Sequence, residues 1–200
     1  MVRMKSIPAA FLSIAALAGC FAGPARADLP TTVVLVAKPE LRADPVFGSA
    51  ILVATSIGGE QHIGFIVNRP TPFSAGSVFP QHEPAQKVAD PVYLGGPVDS
   101  DVIFALVRRS EGVGKGSFQL MPGLFAAING KAVDRAIESD PEHTRLLAGL
   151  VVWKPGELEE EIKQGLWYVL EADPALVVPG STEGLWEELA RRSKISADAI

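Results

Sequence analysis

A single cysteine, Cys20, and three histidines, His62, His82 and His143, are the whole supply of thiol and imidazole in this 200-residue chain. One cysteine closes no intrachain disulfide, so the fold must be held by its core. Histidines isolated from one another and from the cysteine provide no metal-ligand spacing, and no metal or cofactor is implied. Long basic runs are missing too: the only adjacent pairs are Arg108-Arg109 and Arg191-Arg192, within 18 Lys and Arg against 23 Asp and Glu. An acidic surface repels phosphate backbones, which argues against nucleic acid as a partner. The G-x-S-x-G, H-E-x-x-H and G-x-G-x-x-G patterns do not occur. Gly112-Val113-Gly114-Lys115-Gly116-Ser117 resembles a phosphate loop only superficially, because Gly116 separates the lysine from the serine; it reads as a flexible hairpin loop.

Apolar residues are abundant, 48% of the chain, and much of the excess lies in one block from Ile7 to Gly23. Arg3 and Lys5 precede it, and no acidic residue occurs before Asp28. A positive start followed by an apolar stretch is the pattern of an export signal, and Pro8, Gly19, Gly23 and Pro24 disfavour a permanent spanning helix. Two cleavage sites follow. Ala25-Arg26-Ala27 before Asp28 is an ordinary A-x-A exit, giving a leader over 1–27. Leu17-Ala18-Gly19-Cys20 resembles a bacterial lipobox, giving a leader over 1–19 and a lipid anchor on Cys20. In the first case Cys20 is only a small apolar residue of the leader. The mature chain, 28–200, is expected to be one exported, periplasmic domain, held to a membrane only through such an anchor. Loss of Arg3, Lys5 and Arg26 takes the 18 basic residues to 15 against 23 acidic ones, a net charge of −8.

Along that domain, Thr31 to Ala37 is a β-branched run that predicts a buried strand. Val46 to Thr55 and His62 to Asn68 around Gly58-Gly59 predict a hairpin, closed by Pro70 and Pro72. Six prolines between Pro70 and Pro97 forbid a long helix there and predict loop with one helical turn. Short strands are predicted at 92–94, 102–107 and 117–121. Asn129-Gly130 reads as a turn, followed by helical spacing of Ala132, Val133, Ala136 and Ile137. Ser139-Asp140-Pro141-Glu142 has the cap, early proline and acidic residue of a second helix running to about Leu147. Strands at 150–153 and 166–170 enclose a helix from Pro155 to Gln164, and a last helix follows Ser181 or Thr182, with Glu187–Arg191 and Glu188–Arg192 at pairing distance. Strands dominate the first half and helices interleave in the second, an α+β pattern on a mainly antiparallel sheet.

Chemistry-bearing groups are sparse. His82-Glu83 in the proline-rich loop has the form of a base beside a carboxylate, or simply of a surface histidine. Glu157, Glu159, Glu160 and Glu161 are the densest acidic group, and a cation or partner site is one reading. The other is a solvated face whose charges oppose the positive start of a helix, with Glu159 reaching Lys163. Trp153 and Trp167 flank that helix as core residues.

Four segments together resemble the YqgE/AlgH family. They are Leu35-Val36-Ala37-Lys38-Pro39 with Asp44-Pro45-Val46-Phe47; Gly64 to Pro70; Val92-Tyr93-Leu94-Gly95-Gly96-Pro97-Val98; and Trp153-Lys154-Pro155-Gly156-Glu157-Leu158-Glu159-Glu160-Glu161-Ile162 with Trp167. The resemblance implies an α+β fold on a curved, mainly antiparallel, barrel-like sheet with flanking helices. It carries no catalytic residue set, and some members bear a transcriptional-regulator label that an export signal speaks against. The shared segments fall at strand ends. If they converge, Asn68, Arg69, Gly95, Gly96, Trp153 and Glu157 form a concave ligand-binding site; otherwise the glycines and prolines only shape turns. The leading expectation is a non-enzymatic binding or adaptor domain with a protein or small-molecule partner. The alternative is a hydrolase using Arg69, His82 or the Glu157–Glu161 group.

Overall fold

The computed structural model describes residues 29, 31–178 and 180–198. The leader, both cleavage sites and Cys20 lie outside them. The elements run in the order β1 (Thr32–Ala37), β2 (Ile51–Gly58), β3 (Gln61–Ile66), β4 (Pro70–Ser74), α1 (Ala75–Val78), β5 (Pro91–Leu94), β6 (Val98–Arg108), β7 (Ser117–Met121), β8 (Leu124–Ala127), α2 (Gly130–Ser139), β9 (Thr144–Trp153), α3 (Glu157–Lys163), β10 (Trp167–Glu171), α4 (Pro174–Val177) and α5 (Leu185–Asp198). The expected α+β class holds. Eight strands form one curled half-barrel in the order β10-β1-β2-β3-β9-β6-β8-β7, with β4 and β5 appended. Every pairing is antiparallel except that of β5 with β9.

The first strands are buried on both faces, which is why their sequence reads as an unbroken apolar run. Val34 and Val36 of β1, Ile51 and Val53 of β2, and Phe65 of β3 point into the curl, where they meet Phe104, Leu106, Leu120, Leu124 and Leu147 from the other half. Val177 of α4 and Leu189 of α5 fill the open side of this core. The alternate residues, Val33, Leu35, Ala37, Leu52, Ala54 and Ile66, face outward beneath Leu158 of α3 and the 41–47 segment. A third core lies under α1 and α2, where Ala132, Val133, Ala136 and Ile137 pack on Ala105, Val107 and Leu146. Each fully buried Leu, Ile or Phe contributes roughly 1.5–3 kcal/mol, so the sheet is held by its faces rather than by any covalent link.

The β7 edge of the curl also reaches back to β1. Thr32 Oγ1 of β1 donates to the Leu120 carbonyl of β7 at 2.6 Å and lies 2.9 Å from Thr55 Oγ1 of β2. This joins the β7 edge of the order to β1, one strand in from the β10 edge.

Several local expectations are corrected. No helix runs from 139 to 147: Pro141–His143 is a single 3-10 turn, and Thr144 onward is the long strand β9. The capping signature is not used as a cap: the Asp140 carboxylate bonds His143 Nδ1 instead, Thr144 Oγ1 donates back to the Asp140 carbonyl, and the apolar Leu146 and Leu147 are fully buried between cores. Asn129 is not a turn residue but the cap of α2, its Oδ1 accepting from Ala132 N at 3.0 Å. Val46 to Ala50 is a turn stabilised by Asp44 Oδ1, which accepts from Val46 N and Phe47 N, and the strand begins at Ile51. Pro70 and Pro72 lie within β4, which pairs only with β5 and therefore tolerates missing N–H donors.

Candidate functional site

Asn68 and Arg69 end the run that continues β3, and both clamp the turn before β2. Asn68 Oδ1 accepts from Ile51 N at 2.8 Å while its Nδ2 donates to the Ser49 carbonyl at 2.9 Å. Arg69 donates to the Pro45 and Gly48 carbonyls at 2.8 and 2.6 Å. Gly95 and Gly96 are pressed against β9: Gly95 N donates to the Ala148 carbonyl at 2.7 Å, and a side chain at either position would collide with the backbone of Gly149 or Leu150. Trp153 packs over Gly64, where an added Cβ would sit 2.7 Å from Cζ3 of the indole. Glu157 accepts from Lys154 N at 2.8 Å and so closes the turn that starts α3.

These six residues are not gathered in one cavity. Trp153 is paired with His62, and Asn68 lies six residues further along that run, roughly 20 Å at about 3.3 Å per residue. Trp153 and Glu157 share one end with α3, Asn68 and Arg69 share the other with the 45–51 turn, and the two glycines lie against β9.

The acidic group on α3 divides in two. Glu160 faces solvent and pairs with Lys163 at 3.5 Å, rather than Glu159 doing so. Glu161 turns inward, and its Oε2 accepts from both Trp153 Nε1 at 3.0 Å and Trp167 Nε1 at 2.8 Å. Glu159 faces His62, which is 5% exposed, with Nδ1 and Oε1 3.9 Å apart. Neither His62 Nδ1 nor Glu159 Oε2 has a hydrogen-bond partner among the described residues.

The other histidines flank α2. His82 Nε2 lies 3.4 Å from Glu138 Oε1, and His143 Nδ1 lies 2.7 Å from Asp140 Oδ1. Between them, Arg109 Nη1 donates to Ser139 Oγ at 3.0 Å. Two open clefts share Arg109. One, of about 390 Å³, is lined by Arg135, Glu138, Ser139, Gly112 and Val113; the other, of about 630 Å³, by Arg108, Ser110, Gln119, Pro122, Gly123 and His143. The strand register explains the second. Val107 pairs with Thr144, which brings the next residues outward, Arg108 and His143, side by side. On its other edge Arg108 pairs with Leu124, and β7 beyond supplies Gln119. Sequence reasoning noted Arg108-Arg109 only as a short charge run, and nothing local connects it to Gln119 or His143. Among the described residues, no three His, Cys, Asp or Glu groups are arranged to hold a metal ion.

A second buried group also escaped notice. Arg145 of β9 is 1% exposed, donates from Nε and Nη2 to Asp90 Oδ2 at 2.9 and 2.7 Å, reaches the Val67 carbonyl, and stacks 4.2 Å from the Tyr93 ring centroid.

Fold and site together define an α+β half-barrel whose shared motif residues serve turns and strand contacts and which carries two open polar clefts at the far end of β6. The family model described as AlgH-like matches residues 34–198, and the chain belongs to that family. It is 33% identical to a UPF0301 protein of Streptomyces coelicolor over 80% of this chain and 85% of that one. It is also 33% identical to a UPF0301 protein of Paraburkholderia phymatum over 85% and 91%. Among solved structures it resembles a Corynebacterium diphtheriae protein, with a TM-score of 0.67, 23% identity and coverage of 84% and 88%. The AlgH protein from Pseudomonas aeruginosa matches with a TM-score of 0.61, 22% identity and coverage of 84% and 86%. These two share the fold.

Proposed function

We propose that this chain is an exported AlgH-like binding or adaptor domain that performs no chemistry of its own. The observation that carries the reading is the employment of the motif residues. Asn68, Arg69, Gly95, Gly96, Trp153, Glu157 and Glu161 are each engaged in internal hydrogen bonds or close backbone packing, while the clefts around Arg109 are open and lined by polar side chains these contacts do not use. The two His–carboxylate pairs beside those clefts favour the second reading, a hydrolase. Against it, no hydroxyl side chain hydrogen-bonds to His82 or His143 among the described residues, so neither pair has the form of a histidine-activated serine or threonine. Export rests on the apolar block behind Arg3 and Lys5, and an anchored form on Cys20. Fractionation of tagged wild type beside Cys20→Ala tests this. Processed protein outside the cytoplasm is expected, and membrane association lost only in the variant would assign the anchor. Uncleaved chain in the cytoplasm would overturn export and revive a regulator's role, and turnover of ester substrates abolished by His143→Ala would overturn the non-enzymatic reading.

A further inference from the structure

We propose that the larger cleft beside Arg109 is a binding site for a small polyanion, a molecule carrying two or more phosphate or carboxylate groups. The inference rests on the binding-domain reading and deepens it. Among the described residues, Arg108, Arg109, Ser110, Gln119 and His143 line this cleft, and no carboxylate does. That is an unusual patch on a chain with five more acidic than basic residues. Of the acids nearby, Asp140 is held by His143 Nδ1, Glu138 lines the neighbouring cleft and faces His82, and Glu111 and Glu142, next in the chain to Ser110 and His143, are not among the lining residues.

The donors are also partly fixed before any ligand arrives. Arg109 is held by Ser139 Oγ, and its backbone N–H donates to the Gly123 carbonyl at 3.1 Å, so the guanidinium stands at the junction of the two clefts. The Asp140 contact at 2.7 Å fixes the His143 ring in the cleft wall. Arg108 makes one long contact, 3.4 Å, to the Val178 carbonyl, and retains donors for a planar oxyanion. A volume of about 630 Å³ suits a metabolite-sized ligand. The net negative charge of the rest of the molecule repels long anionic polymers, so the ligand class is a small one.

Titration calorimetry of the purified full chain with inorganic pyrophosphate, and separately with citrate, tests the site and distinguishes a phosphoryl from a carboxyl ligand. Saturation by either probe at one per chain, weakening as salt is raised, is the expected result. Gln119→Glu places a carboxylate in the cleft at an exposed position without touching the core, and Arg108→Gln removes a donor. Each is expected to weaken binding about tenfold, the loss of one charge-assisted contact. Lys163→Gln, on exposed α3, is expected to bind as wild type does. Absence of saturable binding by both probes, or binding unchanged in both cleft variants, would overturn the proposal while leaving the adaptor reading intact. Release of orthophosphate from pyrophosphate, abolished by Gln119→Glu, would uphold the site and overturn the non-catalytic reading instead.

Discussion

Asp90 and Arg145 lie 55 positions apart in sequence, yet two guanidinium nitrogens converge on a single carboxylate oxygen at 2.9 and 2.7 Å. The arginine is 1% exposed while the aspartate keeps a third of its side chain in contact with solvent. The asymmetry dictates which partner is costly to lose. Asp90→Ala leaves a charge sealed in the sheet with only the Val67 carbonyl, the Tyr93 ring and its remaining contact, and is expected to destabilise the fold by roughly 3 kcal/mol. Thermal melting should fall by roughly 6 to 12 °C. The double variant with Arg145→Met is expected to recover part of that loss, because the buried charge goes too. Equal melting of single and double variants would contradict this assignment.

The two indoles on Glu161 make a second expectation. Glu161→Ala strands two buried N–H donors and is expected to cost roughly 2 to 4 kcal/mol in urea unfolding, with a red shift of tryptophan emission. Glu161→Gln keeps an acceptor oxygen and is expected to cost less than half as much.

Gly96 and Gly130 provide an internal contrast. At Gly96 an added methyl strikes the Leu150 backbone, which has no room to yield, so Gly96→Ala is expected to cost roughly 3 kcal/mol. Gly130 opens α2 with nothing within 4 Å of the Cβ position and an ordinary helical φ, so Gly130→Ala is expected to be stabilising by roughly 0.5 kcal/mol. Chemical denaturation of the two variants checks both signs.

Thr32→Val keeps the shape of the side chain but removes the hydroxyl that joins β1 to β7. The Leu120 carbonyl then loses its donor, and the cost is expected to be roughly 1 to 2 kcal/mol. Amide exchange should accelerate most in β7, about tenfold, with little change in β2 and β3. Uniform acceleration across the sheet would show that the closure is not local.

Much of this architecture could be read before any coordinates because its signals are short-range. The runs at 31–37 and 46–55 and the Gly58-Gly59 turn announce the first three strands, although the second starts only at Ile51, and the motif segments carry the resemblance to the family. Where reading failed, the deciding partner was distant. Ser139 to Glu142 satisfies the rules for a helix start, but the residues after it are claimed by β6, whose Phe104 and Ala105 pair with Leu147 and Leu146. Pro70 and Pro72 look like strand breakers until β4 proves to need only one paired edge. Arg145 gave no sign of burial, since Asp90 and Tyr93 reach it only through the fold. The same holds for the cleft: Arg108, Gln119 and His143 become neighbours through three strand registers, none of which a local pattern specifies.

Strand β9 lies between the two halves of the sheet. β6 pairs along one edge, while β3 and the parallel β5 meet the other. In time, as opposed to space, this makes residues 144–153 a latch. The strands β1 to β3 and β6 to β8 emerge from the ribosome first, and neither half can seal against the other until β9, about three quarters of the way along the chain, has been made. A nascent chain arrested before Thr144 therefore holds two unsealed halves, and closure of the sheet comes late. A polypeptide that commits to its fold so late stays threadable for most of its synthesis.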